Sequence, residues 1–258
     1  MIRKLILLFG VLVATVVLLN VWRSQCENRR VGLTDRTQTD ERQTDSIATH
    51  DEFGLTKEQR EDQAIFSYNA GIQLAKEGRY EDALKSYSIA IAMKPDLELA
   101  WVNRANLLMD LGDLENALKM INHAIELAPD DPLAYATRGN IFARQTKYPA
   151  AITEYNQALT LSADNNAGIL RARGHAHAKN NDLEMAIKDT RQSLKLDSDN
   201  AQTYCNLAIF YARQGNDESI RVFDQALEKF PDESCVKDIK EAWDQQIRNS
   251  AREKGVEL

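Results

Sequence analysis

The side chains with the most obvious chemical potential are few. His175 and His177 form a His-x-His pair, but residues two apart on a helix point to nearly opposite sides and cannot share a metal ion. His50 and His123 have no partners in sequence. Cys26, Cys205 and Cys235 are an odd set with no Cys-x-x-Cys, so neither a disulfide framework nor a zinc module is encoded. Cys205 and Cys235 fall on neighbouring helices and could pair outside the cytoplasm, although their separation turns on how the last helix is framed. The chain has no Gly-x-Ser-x-Gly, no phosphate-binding loop and no His-Glu-x-x-His. It is therefore read as a non-enzyme, and no metal or cofactor is expected. Lys and Arg total 32 against 39 Asp and Glu, a net charge of −7, which argues against neutralisation of nucleic-acid phosphates. What remains is binding chemistry: asparagine amides that can pair with a peptide main chain, and cations that can hold carboxylates.

The elements that must position these groups begin near residue 56. Before that, residues 5–22 run for eighteen positions without a charge, between Arg3-Lys4 and Arg23, close to the roughly 20 apolar residues that cross a bilayer. No small-x-small cleavage site follows, so residues 1–26 are expected to be a retained single-pass anchor. Arg23, Ser24 and Gln25 before Cys26 do not fit a lipidation pattern. The positive-inside comparison is balanced, and the Arg-Lys start, which resembles an export signal, favours an extracytoplasmic domain. Residues 27–55 are rich in Thr, Asp, Arg and Gln and bury too little surface to offset about 1–2 kcal/mol per residue of ordering entropy. They are expected to form a disordered tether with a reach on the order of 30 Å.

Beyond the tether the sequence repeats. Small residues recur as Gly71, Ala105, Gly139, Gly174 and Ala208, and again as Ala83, Ala117, Ala151, Ala186 and Ser219. A third series, Ala90, Ala124, Ala158, Ser193 and Ala226, keeps the same period of about 34 residues. Within one period the spacing is helical: Trp101, Arg104, Ala105 and Leu108 share one stripe. Small residues let two helices approach to about 8–10 Å, and large ones such as Tyr87, Ile121 and Tyr155 fill the space beside them. Gly78, Gly112, Asn181 and Gly215 mark turns between paired helices, with Thr146 in the corresponding slot of the third unit. Pro95, Pro129 and Pro231 close second helices. Low Gly and Pro content, 11 and 5 residues, fits long helices joined by short turns and excludes a β-sandwich.

These phased positions resemble the tetratricopeptide repeat (TPR) family. The match covers five repeats, at about 64–97, 98–131, 132–165, 166–200 and 201–232, with one residue gained near Asn165 and one lost between Asn216 and Ser219. The resemblance implies an all-α fold, a right-handed α-α superhelix (solenoid) of about five helix pairs over residues 56–232. Thr56 with Gln59 reads as a capping box. Residues 233–258 carry Val236, Ile239, Trp243 and Ile247 on one stripe, as expected of a capping helix and tail.

In this family the concave groove lined by first helices usually binds another protein. Projected onto that face, the sequence places Tyr68, Asn103, Asn106, Asn140, Arg144, Arg171, His175, Lys179 and Arg213 in the groove as partner-binding residues. Ile65, Ile72, Val102, Met109, Ala136, Thr137, Gln202, Cys205, Asn206 and Ile209 fall on the same face and are not expected to be needed for packing. Arg104, Arg138 and Arg173 recur beside the small residue and read as packing residues with snorkelling stems. Family members that hold chaperone tails use a Lys, Asn and Arg set of which only Asn103 is matched here, which argues against that role. The expected partner is a protein or extended peptide, apolar at one end and acidic at the other, with the membrane engaged through residues 5–22 and no nucleic acid. The function implied is a membrane-anchored interaction scaffold. The alternatives are an exported soluble assembly factor with a cleaved signal, or a regulatory subunit of a membrane enzyme complex.

Overall fold

A computed structural model describes residues 54–163 and 165–253, with side chains placed through residue 245. The apolar stretch 5–22, the tether up to residue 53, Cys26, His50, the last five residues and the side chain of Ile247 lie outside the described residues. Among the described residues no helix is long and apolar enough to cross a membrane. Five antiparallel pairs follow one another: α1 (Lys57–Lys76) with α2 (Tyr80–Met93), α3 (Glu98–Asp110) with α4 (Leu114–Leu127), and α5 (Pro132–Arg144) with α6 (Tyr148–Leu161). Then come α7 (Ala167–Lys179) with α8 (Leu183–Leu196), α9 (Ala201–Gln214) with α10 (Glu218–Lys229), and a final α11 (Ser234–Glu253).

Local chemistry sets the helix ends. Thr56 Oγ1 accepts from the Gln59 amide at 3.2 Å while Gln59 Oε1 accepts from the Thr56 amide at 2.9 Å, a reciprocal cap that starts α1. The Asp131 carboxylate accepts from the amides of Leu133 and Ala134, both at 3.0 Å, ahead of Pro132 at the first helical position. The turn after each first helix needs one left-handed residue. Gly78, Gly112 and Gly215 supply it at φ +75°, +85° and +73°, Asn181 at +63°, and Thr146 at +59°. A β-branched side chain in that region costs on the order of 1–2 kcal/mol.

The pairing inside each repeat is more specific than small against small. Tyr155, 2% exposed, lies across Gly139, and a Cβ on that glycine would stand 2.7 Å from the tyrosine Cε1. Gly71 faces Tyr87 in the same way at 2.5 Å. The glycine leaves the space that the ring fills. In the second repeat Ala105 stands in the glycine position and Ile121 in that of the ring, and both are fully buried. Arg138 and Arg173 do more than cover apolar surface. Arg138 donates through Nε and Nη2 to Glu154 at 3.0 and 2.8 Å and through Nη1 to Asn122 at 3.0 Å. Arg173 donates to the buried Asp189 at 2.7 and 2.8 Å and to Asn156 at 2.8 Å. Each guanidinium thus clamps its own second helix to that of the preceding repeat, with charge-assisted forks that compensate carboxylate burial.

Each second helix packs on its own first helix and on the next first helix. Adjacent first helices also touch one another, whereas adjacent second helices do not. The stack therefore curves with α1, α3, α5, α7 and α9 on its inner side, as an α-α superhelix. At the C-terminal end α11 packs on α9 and α10, with Val236 fully buried and the Trp243 ring edge-on to Phe223 at a centroid distance of 4.5 Å. Cys235 of α11 is disulfide-bonded to Cys205 of α9, with Cα atoms 6.3 Å apart. The residue lost in the fifth repeat shortens α10, which has 12 residues where α2, α4, α6 and α8 each have 14.

Candidate functional site

The inner side of the first helices is the surface that packing leaves open. Ile65, Leu99 and Leu133 stand one repeat apart, in the middle of α1 and at the starts of α3 and α5, and are 51%, 52% and 56% exposed. They form an aliphatic row of which the sequence reading assigns only Ile65 to the groove. The 34-residue step from Ile65 is the signal that finds the other two.

Several residues projected into the groove are instead covered. Val102, Met109, Ala136, Thr137 and Cys205 are buried, because adjacent first helices touch and close the slot between them. Cys205 is also committed to the disulfide. Arg144 and Arg213 reach back to the preceding first helix. Arg144 donates to the Met109 carbonyl at 3.2 Å and to the Asp110 carboxylate at 2.8 Å, and Arg213 donates to the Ala178 carbonyl at 3.3 Å. Cations on these carbonyls stabilise the C-terminal ends of α3 and α7, so both arginines serve inter-repeat packing as well as the groove surface. Arg171 and Lys179, both predicted from sequence to face the groove, make no hydrogen bond or ion pair among the described residues.

The asparagines are partly engaged. Asn103 Nδ2 donates to the Tyr68 hydroxyl at 3.0 Å, linking the first two repeats. Asn140 Oδ1 accepts from the Tyr155 hydroxyl at 2.7 Å, and Asn206 Oδ1 accepts from Gln202 at 2.9 Å. Asn106 is half-buried with no side-chain hydrogen bond among the described residues.

Asn140, Arg144 and His175 converge, with Met109, Tyr148 and Tyr155, on a cavity of about 350 Å³ between α3, α5 and α7. Tyr148 and Tyr155 come from α6, a second helix, which is why attention to first-helix positions misses them. Tyr68, Asn103, Asn106, Arg171, Lys179 and Arg213 do not line this cavity. Desolvation in the groove, and then the Lys179 ammonium, hold the His175 pKa below that of a free imidazole, so the ring is neutral at pH 7. Burial raises the Tyr155 phenol well above its ordinary range, so it remains a donor to Asn140. The cavity thus offers a neutral imidazole, the remaining Asn140 amide donor and one edge of a guanidinium. These are groups for holding a main chain or a polar side chain. Among the described residues no group of three or more His, Cys, Asp or Glu side chains could hold a metal ion.

Comparison with known proteins agrees with this architecture. A tetratricopeptide repeat profile matches residues 74–141, and a TPR repeat profile matches residues 139–181 and 174–215. The chain belongs to the tetratricopeptide repeat family. Proteins of this family generally mediate protein–protein interaction. Among solved structures, MamA (41-end) from Desulfovibrio magneticus RS-1 superposes with a TM-score of 0.59 at 18% identity, over 67% of this chain and 98% of that one. TTC0263, a thermophilic TPR protein of Thermus thermophilus, gives 0.58 at 22% identity over 67% and 95%. YrrB, described as a TPR protein with an unusual peptide-binding site, gives 0.54 at 20% identity over 72% and 95%. At these identities the likeness is one of fold. No curated protein matches the chain.

Proposed function

We propose that this TPR protein is a membrane-tethered scaffold that holds a partner polypeptide in its inner groove. The observation that carries the reading is the groove surface itself. An exposed aliphatic row on the first three first helices leads toward Arg171 and Lys179 on α7, cations without a partner among the described residues, and the polar Asn140, Arg144 and His175 cavity lies between them. A segment apolar at one end and acidic at the other fits that order. The uncharged stretch 5–22 and the polar tether support attachment to a bilayer. The Cys205–Cys235 disulfide supports an extracytoplasmic TPR domain, because such bonds persist in oxidising compartments. The same bond fits a second reading, an exported soluble assembly factor whose N-terminus is removed.

A photo-crosslinker in place of Asn106, in native membranes, is expected to capture a protein that is not captured from Glu115 on a second helix. The double variant R171E/K179E should weaken that capture while keeping a cooperative unfolding transition within a few degrees of the parent, since neither cation has a partner among the described residues and only the helix-end charge of Lys179 is lost. Equal capture from both positions would refute the groove. N-terminal sequencing of the mature protein decides between anchor and cleaved signal: a start beyond residue 22 refutes the anchor.

A further inference from the structure

The junction between the fourth and fifth repeats departs in a concerted way from the two junctions before it; the junction of the first and second repeats keeps the arginine, Arg104, but sets it against the Met120 sulfur at 3.4 Å. In the third and fourth repeats the outer crevice between successive second helices is sealed by the Arg138 and Arg173 clamps. One repeat later every member of the clamp has changed. Leu207 stands where Arg173 would recur, Val222 replaces the carboxylate of Glu154 and Asp189, and Arg191 replaces Asn122 and Asn156. The position that opens each earlier second helix with Tyr80, Leu114, Tyr148 or Leu183 holds Asn216, which lies outside α10 because that helix begins two residues later. Its side chain turns back to accept from the Glu218 amide at 2.9 Å.

The result is an unsealed crevice of about 550 Å³ between α8, α9 and α10. Its floor is apolar, from Ile187, Leu207, Tyr211 and Val222. Its rim is basic on a chain of net charge −7. Arg221 is neutralised by Glu218 through an Nε contact of 2.8 Å. Arg191 and Lys195, one helical turn apart on α8, are both exposed and have no ion pair or hydrogen bond among the described residues. The inner groove is formed by other faces of the first helices, so this crevice is a separate surface.

We infer that this outer crevice is a second docking site, for a segment of a partner protein that presents an aliphatic side chain flanked by carboxylates. The side chain sits on Leu207 and Val222, and the carboxylates meet Arg191 and Lys195, supplying the acid that the chain itself provides to Arg138 and Arg173. The inference does not depend on what the inner groove binds.

The test uses the full-length protein in detergent micelles and a fluorescein-labelled peptide with one leucine between pairs of glutamates in a Gly-Ser frame. Fluorescence polarisation should show saturable binding, about tenfold weaker when the glutamates become glutamines or the leucine becomes serine. R191E/K195E should abolish it while keeping the parent's far-ultraviolet circular dichroism and a cooperative unfolding transition within a few degrees of the parent. The triple variant R191N/L207R/V222E, which rebuilds the clamp of the earlier repeats, should abolish it by filling the crevice. R171E/K179E in the inner groove should leave it intact. No binding of the acidic peptide, equal binding of the glutamine peptide, or loss only in R171E/K179E overturns the inference. So does binding through Arg191 and Lys195 to phosphatidylglycerol vesicles in the absence of peptide binding, which would make the surface a lipid contact. If the triple variant fails to fold, R191E/K195E still decides.

Discussion

Gly139→Ala tests the reading that glycine is present to admit a ring. In an isolated helix the change would stabilise by about 1 kcal/mol through helix propensity. Here the new methyl would lie 2.7 and 2.9 Å from Cε1 and Cδ1 of Tyr155. That ring is 2% exposed, and its hydroxyl is 2.7 Å from Asn140 Oδ1, so it cannot withdraw without losing the bond. Overpacking of this kind costs about 1–3 kcal/mol, and the lost hydrogen bond adds roughly 1 kcal/mol. The net expectation is a destabilisation of about 1–3 kcal/mol. Tyr155→Ile alone leaves a cavity over the glycine and should cost about 2–4 kcal/mol. The double variant recreates the Ala105–Ile121 pairing of the second repeat, so the two changes should compensate, with a favourable coupling of about 1–2 kcal/mol. Urea unfolding followed by far-ultraviolet circular dichroism closes the cycle. If G139A proves as stable as the parent, or the two effects add within about 0.5 kcal/mol, glycine is not required by the tyrosine and the account of intra-repeat pairing is wrong.

Other expectations rest on single sites. Thr146→Gly relieves a β-branched residue at φ +59° and should raise stability by about 1 kcal/mol, read as a higher thermal midpoint; a lower midpoint would mean that the threonine side chain has a compensating role. Glu98 has its pKa raised by burial and then by the neighbouring Asp131 carboxylate. The folded state therefore binds more protons than the unfolded state between the two pKa values, and the stability contribution falls as pH rises through that interval. Glu98→Gln should accordingly stabilise at pH 7, with the gain vanishing in acid, and a gain independent of pH would count against this assignment. Replacing Cys205 and Cys235 by alanine releases a cross-link spanning 30 residues, worth about 3–4 kcal/mol on loop entropy. Amide exchange in α11 should then quicken while α3 to α6 stay protected; uniform quickening would mean that the cap is not a separate unit.

Much of the solenoid was legible because its determinants are local and repeated five times. The alanine and glycine series, the Thr56–Gln59 cap and the turn glycines act within one or two helical turns of themselves, and their period survives in the bare sequence. Side chains that reach across repeats are harder to place. Arg144 reads as a groove cation in the sequence, yet its donors meet Met109 and Asp110 a whole repeat away. Tyr148 and Tyr155 sit in the second-helix pattern, where packing is the expected role, and only the bend between helices brings them to the groove cavity.

By itself the sequence determined the repeat length, the helix pairs, the small-residue contacts within each pair and the position of an uncharged stretch ahead of them, because each depends on residue type at a fixed short spacing. The tertiary structure decided which face of each first helix is closed by its neighbour, which arginines are already satisfied, that Cys205 and Cys235 meet, and that a crevice lined by α8, α9 and α10 lies on the outer side of the fourth and fifth repeats. These depend on the curvature of the stack, a sum of small rotations at every junction, and no single window of residues contains that sum.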